Sequence, residues 1–240
     1  MALPPSSAPK PVPDWGTPDP RTPGGLGRRT AIYVVLTLGV LIILTVATRD
    51  PFYVGIALVA LIAGAWHGSR EGRRSLGAVG AIEVGESDRA NARLIRLVSG
   101  LSGDLGMDRP AIWIFTGSSP NAFVTSVGSR GAVAVSTELA SELALTELEA
   151  VVAHCLLRLR DGVPDPRWAR SVLGWTKRIH PCAPAAYDVG AAALLRYPPG
   201  LARAIRKAAP RKGADRGLWF VPAVEGECSP VARIARLEDL

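Results

Sequence analysis

The sequence predicts an α+β domain hung from a two-helix membrane hairpin. Two uncharged apolar runs follow one another between residues 30 and 69. Beyond them, short runs of strand formers come first and amphipathic helices follow. That order favours separate layers over a doubly wound sheet. The prolines are uneven too, with eight of the 20 inside the first 23 residues. At 240 residues, 48% hydrophobic and 20% charged, the chain has room for one main domain with appendages, and complete disorder is excluded.

Residues 1–29 carry no apolar periodicity and are rich in Pro, Gly and Ser, so they read as a disordered, partly polyproline tail. Thr30 to Thr48 is a 19-residue stretch without a charge. At 1.5 Å per residue it makes roughly 28 Å of helix, close to the ~30 Å of a hydrocarbon core. Arg49-Asp50-Pro51 interrupts it. Phe52 to Trp66 adds a second uncharged run of 15 residues, a span over 52–69 once His67 to Ser69 are included. The first run exceeds the apolar core of a signal peptide and the second follows at once, which disfavours a cleaved leader.

A three-residue turn leaves both outer flanks on one side of the bilayer. Arg28 and Arg29 lie on one flank, and Arg70, Arg73 and Arg74 on the other. The positive-inside rule therefore predicts a multi-pass protein of the cell membrane, with the tail and the domain at 70–240 in the cytoplasm. The lipid bilayer is then the first partner. The cysteines, Cys155, Cys182 and Cys228, are an odd and sparse set that suits unpaired, reduced thiols in that compartment. The net charge of +7 is spread along the chain and partly flanks the apolar runs, with no basic stripe interleaved with aromatics. No nucleic-acid partner is expected.

Within the domain, Leu94, Ile95, Leu97, Val98 and Leu101 recur at helical spacing over Asp88 to Leu101, and Gly103, Gly106 and Pro110 end the helix. Ala111 to Phe115 reads as a strand, followed by the turn cluster Gly117-Ser118-Ser119-Pro120. Asn121-Ala122-Phe123 opens a second extended stretch, and Gly131 to Ser136 reads as a third. Glu138 to Leu145 follows as a short helix. Thr146 and Glu149 fit a capping box for a longer one. Its apolar face is Leu148, Val151, Val152, Cys155, Leu156 and Leu159, and it stops at Asp161-Gly162. His154 and Arg158, four residues apart, share one side of it. Asp188 to Tyr197, Leu201 to Ala209 and Ser229 to Leu237 complete the helices.

Four pieces stand in a recognisable order: Ser119-Pro120-Asn121-Ala122-Phe123, Ala132-Val133-Ala134-Val135-Ser136, Thr146 to Gly162, and Tyr187-Asp188 with Ala191 to Leu195. Pro230, Arg233, Ile234 and Leu237 follow them. Over roughly residues 88–240 this order resembles the integral-membrane zinc metalloproteases of the HtpX and CAAX-prenyl-protease type. The resemblance implies a zincin-like metalloprotease fold behind the hairpin. It implies peptide binding at an edge strand through Asn121, Ala122 and Phe123, by strand addition. It also identifies Thr146 to Gly162 with an active-site helix usually written E-L-x-A-V-x-A-H-E-x-x-H.

The departures from that pattern decide the chemistry. The family's zinc needs two His one helical turn apart and a Glu beside the first as general base. Here His154 is kept, Cys155 stands at the Glu position and Arg158 at the second His. The third ligand, four residues before Asp188, falls at Pro184, which cannot ligate zinc. Asp188 keeps the position that orients the first His in such enzymes. One imidazole beside a guanidinium does not hold a dication. The expectation is a pseudoprotease without zinc or any other cofactor, which binds polypeptide or regulates a membrane partner such as a protease.

The alternative is an active membrane metalloendopeptidase with atypical ligands, His180 and Cys182 joining His154. A Cys155 nucleophile fits poorly, because neighbours on a helix diverge by about 100°. Arg158 is expected to fill the emptied metal position and pair with Asp188.

Overall fold

The computed structural model describes residues 39, 55, 59, 72–117, 119–128, 130–162, 183–212 and 218–240. The tail at 1–29 and most of the hairpin at 30–69 lie outside them. Gly39, Gly55 and Val59 are each helical. No helix among the described residues is long and apolar enough to cross a membrane.

The described part of the domain is a mixed α+β fold, as the order of elements predicted. A short helix α1 (72–78) leads to β1 (Ile82–Glu83), helix α2 (Ala92–Asp104), and strands β2 (Ala111–Phe115), β3 (Ala122–Val127) and β4 (Arg130–Ser136). Helices α3 (Thr137–Glu142), α4 (Leu145–Arg160), α5 (Ala183–Leu195), α6 (Pro198–Lys207) and α7 (Pro230–Glu238) follow, with a 3₁₀ turn at Gly226–Cys228 before the last. The sheet order is β1-β2-β4-β3. β2 runs parallel to β4, whereas β1 and β3 are antiparallel to their neighbours. β3 therefore forms one margin of the four-stranded sheet. Its register sets Phe123 opposite Ala134 and Thr125 opposite Ala132.

Helix α4 is the central rod. Leu148, Val151, Val152, Ala153, Cys155 and Leu156 are all buried, in one core with Val124, Val133 and Val135 from the sheet and Leu201 and Ile205 from α6. Burial all round α4 explains why a helix so apolar can carry His154 and Arg158 inward. A second cluster lies around β3, where Leu76 of α1 packs with Phe115, Phe123, Ala134 and Trp219. Gly72 opens α1 so close to the end of β3 that a Cβ there would overlap the Ser126 carbonyl oxygen. Only glycine allows that approach.

Two expectations about local structure are corrected. The cap of α4 is not Thr146 with Glu149: the helix starts at Leu145, and the Glu147 carboxylate accepts the Ala144 N–H at 2.9 Å. Lys207 Nζ, 2.7 Å from that carboxylate, draws Glu147 into the role and ties α4 to α6. Nor are all three cysteines unpaired. Cys228 is disulfide-bonded, and Cys155 is the free thiol among the described residues. An odd count forbids complete pairing but permits one bridge.

Candidate functional site

His154 projects from the middle of α4 into the core and is wholly buried. Its Nε2 lies 2.9 Å from the Pro184 carbonyl oxygen. A carbonyl can only accept, so Nε2 carries the proton and the ring is the neutral Nε2–H tautomer. Asp188 Oδ1 is further away, at 3.4 Å. The imidazole stands edge-on to Phe220, with centroids 5.0 Å apart. Nδ1 has no hydrogen-bond partner among the described residues. Burial, then the charges of Arg158 and Arg233, hold the imidazole pKa well below its usual value.

The expected Arg158–Asp188 pair does not form. Both oxygens of Asp188 are taken by Arg233, whose Nε and Nη2 lie 2.6 and 2.7 Å from them. This fork-on-carboxylate geometry needs a planar guanidinium aligned with the carboxylate, and α7 supplies it. Arg233 also donates Nη1 to the Phe220 carbonyl at 2.8 Å. Arg158, equally buried, points its Nη1 at two carbonyls, Leu218 at 3.1 Å and Trp219 at 3.2 Å. Burial lowers its pKa to about 10, so the guanidinium stays charged at neutral pH. Cys155 next to it is wholly buried, and burial pushes its thiol up to about 12. A thiol so rarely ionised is neither a nucleophile nor a ready metal ligand.

The three residues expected to bind peptide are interior. Asn121 and Ala122 are 0% exposed and Phe123 is 2%. Asn121 donates Nδ2 to the carbonyls of Ala209 (2.7 Å) and Val221 (2.9 Å), and Oδ1 accepts the N–H of Ala122 (2.8 Å) and Val221 (3.2 Å). Two donors and two acceptor positions use up the amide's capacity. Asn121 thus fastens the start of β3 to two later segments of this chain.

Zinc is the metal that the resemblance implies, and the described residues do not fit it. Two donors held about 2.0–2.1 Å from a tetrahedral zinc lie roughly 3.3 Å apart. The 2.9 Å contact from His154 to Pro184 is instead a direct hydrogen bond across the place of the third ligand. No group of three or more His, Cys, Asp or Glu among the described residues could hold a metal ion. His180 and Cys182, the alternative ligands, lie outside the described residues. Arg233 belongs to the tail that carries the resemblance, but its role at Asp188 was not expected; the signal is its spacing, four residues before buried Leu237 and so on the same inward face.

Residues 88–156 match the profile of Peptidase family M48. A protease HtpX homolog of Listeria monocytogenes serotype 4b (strain CLIP80459) is 37% identical over 82 residues, 34% of this chain and 27% of that one. A protease HtpX homolog of Halobacterium salinarum (strain ATCC 700922 / JCM 11081 / NRC-1) is 36% identical over 80 residues, 33% of this chain and 27% of that one. The matched stretch spans about a quarter of the length of these relatives. Over it, the chain resembles the HtpX-type peptidases of family M48. The family match ends at Leu156, two residues short of Arg158.

Proposed function

From that resemblance we propose that the chain keeps a zincin-like scaffold and has given up its hydrolytic chemistry. It is a membrane-anchored pseudoprotease, and its domain regulates or scaffolds a membrane partner, either a polypeptide client or another protease. The observation that carries this reading is the hydrogen bond from His154 Nε2–H to the Pro184 carbonyl. It ties Nε2 to main chain at the position where a third ligand would have to stand, so a single lone pair, on Nδ1, is all that the ring could offer a metal. The neighbouring residues support the same reading. Cys155 has no carboxylate to take a proton from water, and Arg158 sets a permanent positive charge near the His154 ring.

The apolar runs at 30–48 and 52–69 support anchoring in a bilayer. The arginines outside both runs support a cytoplasmic domain.

The test is zinc content per chain, by elemental analysis of the full chain purified in detergent, beside a His154→Ala variant and a casein-cleavage assay. The expected result is far less than one equivalent of zinc in either protein and no cleavage. Near one equivalent in the wild type, lost in the variant, would overturn the reading and favour an active peptidase with atypical ligands.

A further inference from the structure

The segment Leu218–Val221 lies along the margin of the sheet in the manner of an added strand. Phe123 and Trp219 form an antiparallel bridge, and the Phe220 N–H donates to the Ala122 carbonyl at 2.7 Å. Successive side chains turn to opposite sides, as in any strand. Trp219 joins the aromatic cluster, its ring 4.7 Å from Phe123 and 5.9 Å from Phe115. Phe220 faces the other way, against His154.

Each carbonyl of the segment is held by a side chain. Leu218 and Trp219 accept from Arg158, Phe220 from Arg233, and Val221 from Asn121. The Arg211 N–H adds a second bond to Val221 at 3.0 Å. All four residues are at least nine-tenths buried.

We propose that Leu218–Val221 is a built-in occupant of the strand-addition edge, and that Arg158 is the clamp that keeps it there. The proposal rests on the non-catalytic reading above and assigns Arg158 a role of its own. The residue at the second metal-ligand position of the family pattern grips main-chain carbonyls, so one side chain both replaces a ligand and holds the edge occupied. An extended polypeptide cannot add to Ala122 and Phe123 unless this segment leaves, and its departure would strip bonds from two buried guanidiniums. Partners are therefore met on another face.

Hydrogen exchange on the full chain in detergent micelles tests this, with fluorescein-labelled β-casein as the extended-polypeptide probe. In the wild type, the Phe220 and Val221 amides should be protected like those of β4, and casein should not bind. Arg158→Met removes the donors while keeping the bulk. It should speed exchange at 219–221 and at Ala122 by roughly 10- to 100-fold, leave α2 within about threefold, and allow casein to bind. Arg158→Lys, which retains a donor, should recover part of the protection. Trp219→Ala loosens the segment from its opposite side and should open the same residues, which keeps the test valid if Arg158→Met fails to fold. Unprotected amides at 219–221 in the wild type, or casein binding to it at the edge, would overturn the proposal. So would a rise in exchange shared by α2 in both variants. Stoichiometric zinc overturns this proposal together with the non-catalytic reading. Free exchange at 219–221 in zinc-free protein overturns this one alone.

Discussion

At the scale of single residues, His154 makes folding sensitive to acid. Burial and two neighbouring guanidiniums hold its pKa below 6.5, against the opposing pull of the Pro184 hydrogen bond. As pH falls through about 6.5, the unfolded chain takes up a proton that the folded one refuses. Stability is therefore fully present above that pH, and declines below it by up to about 1.4 kcal/mol per pH unit. Thermal melts of the full chain in detergent should show Tm falling from pH 7.5 to 5.5. His154→Gln, whose amide can still donate to Pro184, should flatten the slope in that window. An equal slope in both proteins would mean that the imidazole titrates as an exposed one. The sequence made His154 and the loss of its partners legible, because ligand spacing along one helix is a local property. The exchange of Arg158 for Arg233 at Asp188 was not legible, since Asp188 and Arg233 are 45 residues apart and only packing brings them together.

At the scale of elements, three of the four strands were read closely, while the two-residue β1 (Ile82–Glu83) was not read at all, being too short to show a pattern. Ala111–Phe115 has the bounds expected, and β4 differs by one residue at its start. Compact apolar runs ended by turn residues leave few alternatives. Helix starts were harder. α5 begins at Ala183 rather than Asp188, because a proline in the first turn lacks only an N–H that has no intrahelical partner there. The start of α4 depends on Glu147, whose pKa offers a check. Burial alone would raise it, but the Lys207 hydrogen bond, the Ala144 N–H and the charges of Lys207 and Arg203 outweigh that and lower it. A lowered carboxylate stabilises the fold above the unfolded value of about 4.5, and loses that contribution as pH falls through the folded one. Glu147→Gln should cost about 1 kcal/mol at pH 7 and next to nothing near pH 3, read by denaturant titration. A cost independent of pH would show that shape, not charge, sets the cap.

At the scale of the whole molecule, the anchoring proposed above predicts which side of a bilayer the domain faces. The arginines beside the apolar runs predict that a C-terminal green fluorescent protein fusion glows and an alkaline phosphatase fusion stays inactive. The reverse pattern would turn the hairpin over. It would also agree with the disulfide at Cys228, since such bonds persist in oxidising compartments. Composition and hydropathy suggest a membrane segment because lipid demands a long apolar run. They do not reveal which thiols meet, because that follows from where distant turns are packed.

The grip of Arg158 on Leu218 and Trp219 also bears on ancestry. A return to hydrolysis by Arg158→His alone would strand two buried carbonyls, at about 1–3 kcal/mol each, before any metal could repay the loss. Cys155→Glu would bury a carboxylate without zinc beside it, and Pro184→Glu would disturb the acceptor of His154. On the proposed non-catalytic reading, each first step backward lowers stability unless the others accompany it. The arrangement would then work as an evolutionary ratchet, with a lineage past this point drifting further from the peptidase pattern rather than regaining it.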